Sequence, residues 1–333
     1  NYYALDVSDS ENPKIMWSIT SDYDDFAELG QCWSQPRPII VEYLDGADLK
    51  VRKALIFTGG YDGDDFSDGQ DDHAIAGADP LGKDARDDSD PADLTFTGKD
   101  DVEGDAVFIV DAETGDLIWK VTGDSNFGTP PLTNGPVFGD EDRHYYHADM
   151  KDSLPGDVAA LDVTISEDGI HNRAYIGDTG GVIWRLDFVD TDRENWKATR
   201  LANLGRHDKP NLTLHDRRFM HGADVALTTD GVGPYDAVVI ASGNRAHPLT
   251  DLTENYLYVI KDRNTVTVPA GDNPYTHDDL QDLSNNCLQP GSTEDCLDEL
   301  GNTISDNDLQ DNLANGWRIK LETCTALDEF GQC

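Results

Sequence analysis

The chain is short of positive charge. Only 25 lysines and arginines stand against 66 aspartates and glutamates in 333 residues, a formal net charge of −41. Nucleic-acid backbones and anionic lipid surfaces repel such a chain, which argues against either as a partner. Long apolar runs are missing too: no stretch approaches the ~18 residues that mark a membrane-spanning helix. There is no C-x-x-C knuckle for zinc, no H-E-x-x-H, no P-loop, no dinucleotide fingerprint and no G-x-S-x-G elbow, so nothing in the sequence calls for an enzyme. No Arg-Gly-Asp triplet occurs. The nine histidines are scattered; His144 and His147, or His215 and His221, have no acid at metal-ligand spacing and read as loop background. No signal peptide is visible. The opening Asn1-Tyr2-Tyr3-Ala4-Leu5-Asp6-Val7 reads as the middle of a strand, as in a processed product or a piece of a longer protein.

What is present suits a globular, turn-rich protein: 38% hydrophobic residues with 30 glycines and 15 prolines. The length allows two domains or one large all-β domain. The acid excess has two compatible readings, a cation-binding surface and adaptation to high salt, where screening relieves self-repulsion. Of the five cysteines, Cys287/Cys296 and Cys324/Cys333 form two close pairs in loops rich in Gly, Pro, Asp and Glu. Each pair is expected to close a small disulfide loop, which implies an oxidising compartment and export. Cys32 is left over, with a partner outside this chain as one reading.

Short strands dominate, bounded by Gly, Asp and Asn. The clearest unit is Ala106 to Val121: a strand, a tight turn at Glu113-Thr114-Gly115-Asp116, and a second strand carrying Trp119. The plan recurs at Tyr2 to Trp17, shortened at Ala174 to Asp187, and in a poorer copy at Tyr256 to Thr265. Recurring hairpins with a Trp after an Asp or Gly turn predict an all-β, modified β-propeller, because each blade needs neighbours to bury its faces. A β-sandwich with ordinary hairpins is the plainer alternative. The expected organisation is one propeller domain over 1–333 with two interruptions. The first, 61–104, is an acidic loop insertion with Asp62, Asp64, Asp65, Asp68, Asp71 and Asp72; its acids read mainly as a solvated face and secondarily as a cation site. The second, 269–315, is irregular, holds the Cys287/Cys296 pair and has helical character from Asp306 to Ala314. Thr229-Asp230-Gly231 reads as a turn before the buried run Ala237 to Ser242.

The sharpest candidate site is a calcium loop. An EF-hand-like frame over Thr164 to Asn172 places Thr164, Ser166, Asp168, the Ile170 carbonyl and Asn172 as ligands, with Gly169 at the turn. Asp168 is the single carboxylate of the set, and Asp162 and Glu167 lie close by. A plain Asp-Gly hairpin turn is the competing reading.

Taken in order, these segments resemble the C-terminal propeller domain of PilY-type proteins, the tip-associated adhesins of type IV pili. The resemblance rests on Tyr3 to Trp17, Ser34-Gln35-Pro36, Ala54 to Tyr61, Val107 to Gly115, Ala174 to Phe188, Val238 to Asn244 and Gly316 to Leu321. It implies a quinoprotein-dehydrogenase-like propeller, a non-enzymatic role in pilus assembly, control of retraction and surface attachment, minor pilins and a surface as partners, and export through the periplasm to the pilus tip. It also implies calcium at Thr164, Ser166, Asp168, Ile170 and Asn172, although family loops are Asp-rich where this one has Thr164 and Ser166. The blade plan is shared with quinone-dependent dehydrogenases, whose adjacent Cys-Cys pair is missing here. An extracellular lectin-like scaffold is the other alternative.

Overall fold

A computed structural model describes residues 1–62, 103–123, 134–137, 139–140, 142–163, 169–205, 217–246, 254–288, 292, 294–297 and 302–321. Residues 63–102 of the acidic insertion and the Cys324/Cys333 pair lie outside the described residues.

The strands are short and follow one another as antiparallel meanders. β1 (Tyr2–Asp6) and β2 (Lys14–Ile19) form a two-stranded sheet. β3 (Arg37–Asp45), β4 (Asp48–Thr58), β5 (Ala106–Asp111) and β6 (Leu117–Thr122) form the first blade, extended by β7 (Gly135–Pro136) and β8 (His144–Tyr146), with β8 parallel to β6. β9 (Ala159–Leu161), β10 (Arg173–Gly177), β11 (Val182–Asp187) and β12 (Lys197–Asn203) form the second blade. The third opens with β13 (Asp224–Thr229), β14 (Pro234–Ala241) and β15 (Asn255–Asp262). Its next strand comes only after an excursion holding β16 (Tyr275–Thr276), β17 (Gln281–Asp282) and α1 (Asp306–Asn315); that strand is β18 (Gly316–Leu321). This is an all-β, propeller-like architecture.

Aspartate builds the turns. In β5–β6, Asp111 Oδ1 accepts the backbone N–H groups of Glu113 (2.8 Å) and Thr114 (3.2 Å). Gly115 then adopts φ +79°, where a side chain would strike the Trp17 ring 2.9 Å away. Asp178 closes β10–β11 in the same manner, accepting from the Val182 N–H (2.8 Å) and the Trp184 indole Nε1 (2.7 Å). Asp230 accepts from Val232 and Gly233 at the β13–β14 turn. Three of the four hairpin copies read from the sequence are therefore hairpins. The fourth is not: Tyr256 to Asp262 is the single strand β15, and the chain leaves it for the excursion because β18, not a local return, pairs beside it.

Strand alternation distributes side chains between blade faces. On β5, Ala106, Phe108 and Val110 pack toward the β1–β2 hairpin with Trp17, Ile19, Phe26 and Phe57. Val107 and Ile109 face the second blade, in a core that includes Ile56, Trp119, Ile176, Trp184, Leu186 and Trp196. The second blade's other face meets the third through Tyr175, Ile183, Phe219, Val238, Tyr258 and Ile260.

That last interface also holds a buried ionic lattice. Arg173, Arg185 and Asp187 come from the second blade, Asp236 and Asp262 from the third, all at most 4% exposed. Asp236 and Asp262 sit directly opposite each other on β14 and β15, where like charges repel. Arg173 Nη1 and Arg185 Nη1 reach across to them at 2.6 Å each, and the Tyr175 hydroxyl lies 2.8 Å from both carboxylates. Arg185 uses five N–H groups: two on Asp187, one on Asp262 and two on the carbonyls of Asn264 and Thr267. Those carbonyls belong to the excursion, which thus runs as a strap from the third blade onto the second. There β16 adds to β12 in parallel, while β17 adds to β18. A disulfide, Cys287–Cys296, closes a loop within the strap, and α1 covers the helical stretch expected from the sequence. Cys32 is a free, half-buried thiol.

Candidate metal centres

The loop of residues 162–172 connects β9 to β10. Thr164, Ser166 and Asp168 lie outside the described residues; Ile170 and Asn172 lie on the segment that returns into β10. The two ends of the loop are tied together. The Gly169 N–H, at φ +77°, donates to Asp162 Oδ2 (3.0 Å), and the Val163 N–H donates to Asn172 Oδ1 (3.2 Å). Asn172 is 2% exposed, its backbone N–H donates to the Leu161 carbonyl, and its side-chain Nδ2 is buried without a hydrogen-bond partner among the described residues. The next residue back, His171, locks to the first blade through paired contacts with Ile40. As a donor set, two hydroxyls, one carboxylate, a carbonyl and an amide oxygen suit a hard oxygen-seeking cation such as calcium. Asp162 supplies the second nearby carboxylate.

A second constellation was not legible in the sequence. His147 follows β8, Asp149 lies two residues on, and Asp272 comes from the strap just before β16; their ligand atoms all lie within 4.8 Å of one another. His147 is therefore not loop background: it is 1% exposed, its ring stands edge-on to Trp184 at 4.7 Å, and the acid it meets arrives from another part of the chain. His147 Nε2 lies 3.1 Å from Asp272 Oδ2. Arg200 on β12 bridges the two acids, Nη2 to Asp149 at 3.1 Å and Nε to Asp272 at 3.0 Å, and its backbone N–H donates to Asp272 Oδ1 (2.9 Å). Burial works against the Asp272 charge, but His147 and Arg200 overcome it and hold the carboxyl at about 2.

His144, the other member of the pair, stays apart from this cluster. It lies on β8, buried, with Nε2 2.9 Å from Thr122 Oγ1. Burial, with Lys120 and Arg143 beside it, pushes its pKa down to about 3.

Among solved structures, the chain is similar to the crystal structure of the C-terminal domain of Pseudomonas aeruginosa PilY1, with a TM-score of 0.53 and 18% identity, covering 98% of this chain. The chain spans 57% of the length of that domain. No protein-family model and no curated protein matches the sequence. The chain thus has the fold of that C-terminal domain, and the resemblance drawn from the ordered motifs holds at the level of fold.

Proposed function

We propose that this chain is a pilus-associated β-propeller, acting without catalysis at the tip of a type IV pilus in assembly, control of retraction and surface attachment. The observation that carries the reading is the fold shared with the PilY1 C-terminal domain along nearly the whole chain. Its partners are then minor pilins and a host or abiotic surface, and it reaches the cell exterior through an oxidising compartment. The Cys287–Cys296 bond agrees with that route. The loop with Thr164, Ser166, Asp168, Ile170 and Asn172 would hold calcium, neutralising Asp168 and Asp162 and stiffening a connection already tied to the first blade through His171. The acid excess would serve a salty medium.

Deleting the gene in its native host and counting surface pili tests the reading directly. Loss of piliation and attachment, restored by the intact gene, is the expected result; unchanged pili and attachment would sink it. Calcium titration of the protein and of Asp168→Ala tests the loop, with binding lost in the variant. For salt adaptation, the urea midpoint should climb steeply with NaCl, and a flat response removes that part. A purified protein absorbing above the protein band would favour a bound quinone instead.

A further inference from the structure

We propose that His147, Asp149 and Asp272 form a binding site for a divalent first-row transition ion such as Zn²⁺ or Co²⁺, and that the Arg200 guanidinium takes the ion's place when no metal is bound. The site is separate from the oxygen-only loop at 162–172 and differs from it in the ion it selects.

The donor arrangement makes the case. Each nitrogen of the His147 ring faces an N–H group: Asn134 Nδ2 is 3.0 Å from Nε2, and the Asp149 backbone N is 3.3 Å from Nδ1. The Asn134 amide cannot turn over freely, because its Oδ1 accepts the Ala148 N–H at 2.9 Å. A neutral imidazole has one lone pair, and which ring nitrogen carries it depends on the tautomer. Nε2 lies 3.1 Å from Asp272 Oδ2, where a ring N–H serves the carboxylate; with the ring proton on Nδ1 instead, an ion between the two atoms takes that hydrogen's place. Two ligands each about 2.1 Å from one ion stand about 3.0 Å apart at the right angle of an octahedral site and about 3.4 Å apart at the tetrahedral angle zinc prefers. Nε2 and Asp272 Oδ2 therefore already have the separation of neighbouring ligands.

The surroundings hold this pair in place. His147 is buried against Trp184, and Asp272 is gripped by the Arg200 backbone N–H (2.9 Å), so neither has to be ordered when an ion arrives. Asp149, whose side chain is 46% exposed, has the freedom to swing the remaining distance. The imidazole decides the class of ion: Ca²⁺ and Mg²⁺ seek oxygen, whereas one imidazole with two carboxylates suits Zn²⁺, Co²⁺ or Mn²⁺. Arg200 presently supplies the positive charge between the two acids, so metal entry requires its side chain to leave. Bound metal would join the segment after β8 to the strap on β12, clamping the first blade's extension to the second blade.

The test uses Co²⁺ as a visible probe, titrated into the full chain in high NaCl with excess Mg²⁺ and Ca²⁺ to suppress diffuse binding to the acidic surface. One Co²⁺ per chain with ligand-field absorbance is expected. Loss of that signal in His147→Gln, at least tenfold weaker binding in the exposed-site variant Asp149→Asn, and roughly tenfold tighter binding in Arg200→Gln support the site, the last because a competing cation within 3–4 Å is removed. Should His147→Gln fail to fold, Asp149→Asn and Arg200→Gln decide the question alone. Absence of saturable uptake by both the wild type and Arg200→Gln overturns the proposal, as does uptake that folded His147→Gln or Asp149→Asn leaves unchanged.

Discussion

The two faces of the second blade are equally buried and built on different chemistry. Toward the first blade, Ala174, Ile176, Val182, Trp184 and Leu186 meet an aromatic core in which Trp119 and Phe188 lie edge-on or tilted against Trp196, 6.0 and 5.8 Å away. Toward the third blade, the intervening residues of the same strands include Arg173, Arg185 and Asp187, set in a lattice of carboxylates. The apolar face is stabilised by area removed from water and tolerates imprecise contacts. The ionic face has to repay the desolvation of five charges, and does so only while every partner is present. Both faces bury apolar side chains; the one toward the third blade adds five charges that must be matched to one another.

Truncation should separate the two most sharply. Trp184→Ala removes a fully buried ring and one of the donors to the buried Asp178 carboxylate, leaves a cavity, and should cost about 5 kcal/mol in urea unfolding. Asp262→Ala on the ionic face takes one of the two carboxylates from Arg185, leaves it Asp187 and two carbonyls, and should cost about 2 kcal/mol. The contrast is sharpened by replacing Arg185, Asp187 and Asp262 together with apolar residues of similar volume, which should recover much of that loss, as no second change recovers Trp184→Ala. A lattice replacement as destabilised as Asp262→Ala alone would break the distinction.

A buried charge pair also occurs on the first blade's hairpin side, where Lys120 Nζ lies 2.9 Å from Glu28 Oε1. His144 beside it gives that region a pH signature. Its folded pKa, about 3, is below the ordinary 6.5, so the unfolded chain binds the proton first as pH falls. The stability is complete above pH 6.5 and is lost between 6.5 and about 3, on the order of 1 kcal/mol per pH unit. Urea midpoints across that range should flatten in His144→Asn; an unchanged slope assigns the dependence elsewhere. The smallest effect belongs to charge that water already covers. Arg52, 44% exposed and 3.5 Å from Asp111, should change stability by less than about 0.5 kcal/mol when replaced by Ala.

Much of the blade plan was readable because it is local. An Asp at a strand end, a Gly that can take positive φ and a Trp on the returning strand specify a hairpin within some ten residues, and Asp111 and Asp178 close their turns by bonds to backbone N–H groups a few positions on. The same locality misled at Tyr256 to Thr265. There the strand pattern is present, but the pairing partner lies beyond the strap. The candidate loop at 162–172 was likewise visible as a linear frame, and its neck, tied by Asp162 and Asn172, is local too.

The alternation in Arg173 to Gly177 and Val182 to Asp187 suggested nothing about where the charged face would lie. Periodicity separates two faces; it does not say whether the polar one meets water or another blade. That was settled when the third blade placed Asp236 and Asp262 opposite Arg173 and Arg185. His147 shows the same limit at a single residue, because its acid, Asp272, reaches it only through the strap that β16 anchors to β12. Hairpins, turns and compositional class follow from the order of residues, since their interactions span a few bonds of chain. Buried charge partners and metal-competent groupings are contacts across large sequence separation, and packing of the blades alone brings them within reach.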